Sequence, residues 1–120
     1  MEGRKAYLQP MDMVVLAIYD LIEMQKGRLL AGDSATGSIC FQISIYDTVW
    51  EYHVLVTDIG HNRCGVTVKL VGDERDKVRL IEHVFALLDY VLIDRARIDF
   101  ANIEEEDRSI IASRRGRNSI

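Results

Sequence analysis

Between Ile39 and Val71 apolar side chains fall on alternate positions in three successive runs, and no other feature of the chain restricts its fold as strongly. In the first run Ile39, Phe41, Ile43 and Ile45 alternate with Cys40, Gln42, Ser44 and Tyr46. In the second, Trp50, Tyr52, Val54 and Val56 alternate with Glu51, His53, Leu55 and Thr57. In the third, Cys64, Val66, Val68 and Leu70 alternate with Gly65, Thr67, Lys69 and Val71. A period of two sends successive side chains to opposite sides of a strand, so this stretch predicts a sheet with one apolar and one mixed face. The breaks at Asp47-Thr48 and at Asp58 to Arg63, centred on Gly60-His61-Asn62, are too short for a crossover. The three strands are therefore antiparallel neighbours.

On either side the apolar period changes. Val14, Val15, Ile18, Leu21 and Ile22 recur at steps of three and four, which predicts a helix starting at an Asp12 N-cap and stopping near Gly27. Val78, Ile81, Val84, Phe85, Leu88, Val91 and Leu92 form a wide stripe at helical spacing, widened by Leu80 and Leu87. This predicts a long helix, capped by Asp73 and running to about Asp94 or Arg97. Arg28 to Ala31 reads as a short strand, with Gly32 to Gly37 as a hairpin turn. The expected architecture is α+β: a two-layer sandwich with an antiparallel sheet of three to four strands and both helices on one face. Residues 1–11 read as an N-terminal arm, 12–103 as a single domain, and 104–120 as a charged, mobile tail. In that tail Glu104 to Asp107 is acidic, Arg114 to Arg117 is basic, and Ile110-Ile111 is the one apolar handle.

Composition narrows the function classes. A chain of 120 residues with 48% hydrophobic and 28% charged residues is long enough for one core, at roughly 100–200 residues per domain. The net charge of −4 argues against nucleic-acid binding by the folded domain. No run of about 18 apolar residues marks a membrane span, since Asp12, Asp20 and Glu23 interrupt Met11 to Met24. With two cysteines and no recognisable leader, the chain is read as cytoplasmic. Cys40 and Cys64 read as small buried thiols, with a disulfide left open if their strands are neighbours.

Catalytic signatures are missing. His61 and Cys64 make half of a zinc spacing without a second pair, so no metal is expected. No serine stands in a G-x-S-x-G context, and Gly32 to Gly37 lacks the Lys-Ser or Lys-Thr of a phosphate loop. His53 falls on the mixed face near Glu51 and Thr57, with Gln42, Ser44, Tyr46, Thr67 and Lys69 as cross-strand neighbours. That pattern is also the ordinary solvated face of an antiparallel sheet. His83 falls on the polar side of the long helix. The order of three meandering strands and a long final helix resembles the C-terminal half of helix-grip (START-like) ligand-binding domains, although the chain is short for that fold and lacks the extra strands that close such a sheet around a cavity.

The chain therefore reads as a non-catalytic interaction domain without a cofactor. The leading expectation is a homo-oligomer, self-associating through a sheet or helix surface. Its basis is apolar content beyond one sheet face, in Leu55, Ile59, Val71, Leu80 and Leu87. The alternative is a domain, or a minor enzyme, that takes a small apolar ligand between the long helix and the sheet. Tyr46, Trp50, Tyr52, His53 and Phe85 are its candidate ligand-binding residues.

Overall fold

The computed structural model describes residues 2–72 and 77–94. The element order is β1 (Glu2–Tyr7), α1 (Met11–Met24), β2 (Arg28–Asp33), β3 (Ser38–Ile45), β4 (Thr48–Gly60) and β5 (Arg63–Leu70). A second helix, α2, follows over residues 77–94. The caps at Asp73 and the tail from 104 lie outside the described residues.

The sheet is antiparallel, with five strands in the order β1-β5-β4-β3-β2. The expectation of three to four strands is corrected by β1, which pairs with β5 from Glu2↔Lys69 to Tyr7↔Cys64. The three alternating runs keep their predicted faces. Ile39, Phe41, Ile43, Ile45, Tyr52, Val54, Val56, Cys64, Val66, Val68 and Leu70 are all buried on the side that faces the helices. Each such side chain contributes about 1.5–3 kcal/mol when it leaves water, so this face holds most of the stabilising area. Phe41 and Tyr52 stack across β3 and β4 with ring centroids 5.5 Å apart.

The strands run further than the sequence suggests, because their turns are tight. β4 extends from Thr48 to Gly60. Tyr46 and Asp47 form the β3–β4 turn with φ of 52° and 65°, and His61 and Asn62 form the β4–β5 turn with φ of 55° and 57°. Two successive left-handed residues are the backbone of a tight hairpin whose twist suits the flanking strands.

In α1, Pro10 occupies the N-cap without a side-chain hydrogen bond, and Asp12 lies inside the first turn rather than capping it. Asp12 Oδ1 accepts from Met13 N at 2.9 Å. At the other end Gly27 N donates to Ile22 O at 2.8 Å and Lys26 N to Glu23 O at 3.0 Å. With Lys26 at φ 52°, this is a complete Schellman closure built on a lysine instead of a glycine. Val14, Val15, Ala17, Ile18, Leu21 and Ile22 face the sheet.

The stripe of α2 is rotated from its expected centre. Leu80 is buried with Ile81, Val84, Leu88, Val91 and Leu92, whereas Val78 is exposed. The Tyr52 hydroxyl donates to the Leu80 carbonyl at 3.0 Å at this end of the helix. Leu80 is thus core, and Leu87 packs partly buried against it. Leu55, Ile59 and Val71 stay exposed, as the alternation implied. The two cysteines are free. Cys40 stands opposite His53 and Cys64 opposite Asp58, with β4 between their strands, so the open disulfide question resolves against pairing. No described helix is long and apolar enough to cross a membrane.

Candidate functional site

The five residues singled out from the sequence do not converge. Tyr46 sits at the tip of the β3–β4 turn, 87% exposed. Trp50 packs partly buried against the core from the inner face of β4. Tyr52 is fully buried on that face and fills the space beneath the start of α2. His53 is on the opposite, open face, where its Nε2 lies 3.3 Å from Glu51 Oε2. Phe85 belongs to α2 and reaches the first strand. Trp50 and Tyr52 share a face as expected, but no single cavity holds all five.

Phe85 leads to a concavity on the helix side of the sheet. Gly3 on β1 has no side chain, and a Cβ there would run into Ile81 and Phe85. The bare backbone at this position therefore lets α2 settle directly onto the edge of the sheet. A cleft of about 240 Å³ results, lined by Glu2, Gly3, Arg4, Val78, Ile81, Glu82 and Phe85. Its floor is apolar and its rim is charged. Glu2 Oε2 accepts from Arg4 Nε at 3.1 Å, so part of the rim is already neutralised. The cleft lies between α2 and the sheet, where the alternative reading expected a ligand, and includes Phe85, but it sits at the β1 edge away from Trp50 and Tyr52.

Further along β1 the same helix is anchored. Asp89 accepts from Lys5 Nζ at 2.6 Å and from the Tyr7 hydroxyl at 2.8 Å. Burial, then the hydrogen bond to Asp89, pushes the Tyr7 phenol far above its ordinary range. These contacts hold α2 against β1 and give the cleft a fixed wall.

The open face carries a larger groove of about 410 Å³, lined in part by Arg4, Ser38, Cys40, His53, Thr67 and Lys69. The register runs Cys40↔His53, His53↔Lys69 and Lys69↔Glu2, so four polar side chains form one row across four strands. Of the neighbours expected for His53, Lys69 stands opposite it and Thr67 lines the same groove, whereas Ser44 pairs with Val49 and Tyr46 lies in the turn, away from it. Among the described residues no group of three His, Cys, Asp or Glu is arranged to hold a metal ion. His61 lies in an exposed turn while Cys64 points into the core, so the half-site spacing does not become a site.

Gly3 and Ile81 were absent from the sequence-based set. Ile81 figured only in the long-helix stripe, and the only trace of Gly3 is that Gly3, Lys5 and Tyr7 alternate with Glu2, Arg4 and Ala6, a pattern too polar to read as a strand.

No protein-family model matches the chain, and no curated protein matches it. Solved structures that resemble it include the di-domain ARO/CYC StfQ from the steffimycin biosynthetic pathway, with 16% identity and a TM-score of 0.43. That alignment covers 78% of this chain and 44% of the StfQ chain, so this chain spans less than half its length. A second is Ara h 8.0201, with 8% identity and a TM-score of 0.39, over 78% of this chain and 97% of that one. Matches this distant say nothing of what the chain binds.

Proposed function

We propose that this protein is a non-catalytic binding domain for a small apolar molecule, seated in the cleft between α2 and β1. The observation that carries this reading is the contact of Ile81 and Phe85 with the bare backbone of Gly3, which leaves an apolar floor beneath a charged rim. An apolar concavity with a few polar groups at its mouth is the common form of a ligand seat. Val78 stands exposed beside that floor, and covering it by a ligand would bury apolar area that the free protein leaves in water. The residues that suggested self-association divide: Leu80 is core, whereas Leu55, Ile59 and Val71 are exposed at separate positions on β4 and after β5.

The test is an NMR titration of the labelled protein with indole and with decanoate. Expected are saturable shifts of the amides of Gly3, Val78, Ile81 and Phe85, abolished in V78E. No shifts in this group, or the same shifts in V78E, would remove the cleft as the seat.

A further inference from the structure

The two edges of the sheet are finished in different ways. β1, at one edge, carries Glu2, Arg4 and Lys5 and has α2 anchored along it. β2, at the other edge, is exposed at all six of its positions. Its Leu29 is 46% exposed and its Leu30 is 40% exposed. The register with β3 slips between Leu29 and Ala31, so Leu30 has no cross-strand partner within its own sheet. An apolar edge strand of this kind presents a row of backbone donors and acceptors ready to take another strand.

The residues of β2 say which strand fits. Read antiparallel against a second copy of itself, the segment places Arg28 opposite Asp33, Leu29 opposite Gly32 and Leu30 opposite Ala31. Opposite charges meet at both ends and apolar groups meet in the middle. Cross-strand pairs of both kinds stabilise a sheet.

We propose that β2 pairs antiparallel with β2 of a second copy about a two-fold axis, joining two five-stranded sheets edge to edge. The pairing is isologous, so each copy contributes both Arg28 and Asp33 to the seam. Helix α1 lies on the same side of the sheet, with the Tyr19 hydroxyl against Gly32, so the helices of the two copies flank the seam. The α2–β1 cleft is at the far edge and stays open in the dimer. This inference is independent of the ligand reading, and either can fail alone.

Sedimentation velocity of the full chain over a range of concentrations is the first experiment. A reversible dimer is expected. Arg28→Asp sets like charges at both ends and should weaken it by roughly tenfold or more, while the reciprocal R28D/D33R variant should restore it. A monomer at every concentration, or a dimer indifferent to Arg28→Asp, overturns the proposal. Asp33 also closes the β2–β3 turn, accepting from Ala35 N at 3.0 Å. Hydrogen exchange on the unmodified protein therefore provides a second measurement that needs no variant. Amides of β2 should slow as concentration rises while those of β1 do not. Equal, concentration-independent exchange at both edges overturns it as well.

Discussion

The hydroxyl of Tyr7 donates to the carboxylate of Asp89 at 2.8 Å, tying the first strand to the last described helix. Lys5 reaches the other oxygen of the same carboxylate at 2.6 Å. Both Lys5 and Asp89 are partly in water, so the ion pair contributes little by itself. The part-buried hydroxyl is different, because it loses its acceptor if Asp89 is removed. Asp89→Ala is expected to cost about 1–2 kcal/mol and Tyr7→Phe about 1 kcal/mol. In urea denaturation the double variant should cost less than the sum of the two, which measures the coupling.

Alkaline pH should unfold the protein through three buried acids. Burial raises the Tyr7 and Tyr52 phenols above their ordinary range, with Asp89 adding to the effect at Tyr7. Burial, with Asp58 adding, also raises the Cys64 thiol. In the unfolded chain these groups release their protons at about pH 10 for the phenols and about 8.5 for the thiol. Above those values the unfolded state binds fewer protons than the folded state, so stability falls as pH rises. Below them the contribution is fully present. Thermal melts across pH 7–11 should show a melting temperature that drops progressively past pH 9. Of the five tyrosines, two should give no phenolate absorbance until the protein unfolds.

Gly3→Ala should lower stability by about 1–2 kcal/mol, because the added methyl meets Ile81 and Phe85 and Ile81 is itself buried. The same methyl intrudes on the cleft floor, so affinity for an apolar probe should fall with it. Arg4→Ala, on the charged rim, should leave stability within about 0.5 kcal/mol. Calorimetric melts of the two variants separate the outcomes.

The β3–β4 turn holds two non-glycine residues in the left-handed region, one of them a bulky tyrosine that packs on nothing. Replacing Tyr46 by Asn and Asp47 by Gly should stabilise the hairpin by about 0.5–1 kcal/mol. A rise in the denaturation midpoint with an unchanged slope would confirm it. Probe binding at the α2–β1 cleft should not change, since the turn is not part of it.

The inner face of β3, β4 and β5 was legible because period-two alternation survives wherever one face is dry and the other wet. That same alternation separates Tyr52 from His53: adjacent residues on a strand point to opposite faces, so no pocket on one side of the sheet can hold both. β1 was invisible for a physical reason. Its inner positions are Gly3, flush against the helix, Lys5, which snorkels to Asp89, and Tyr7, whose ring is buried by its edge contacts. No apolar pattern is left to read. In α2 Leu80, expected only to widen the stripe, is core while Val78 is exposed, and the Tyr52 hydroxyl meets the Leu80 carbonyl from the sheet. Such a long-range contact has no trace in local spacing. The cleft shares this origin, since it exists only where residue 3 meets residues 81 and 85.

The order β1-β5-β4-β3-β2 also sets a schedule for synthesis. Strands β2 to β5 meet their partners through tight turns within moments of leaving the ribosome. β1 is made first, yet Glu2 must wait for Lys69, an interval on the order of several seconds at typical elongation rates. During that interval the inner face of Tyr7 and the open flank of the nascent meander are the adhesive surfaces of the chain. The polar character of β1, which hid it from the eye, keeps that waiting strand soluble until its place in the sheet is built.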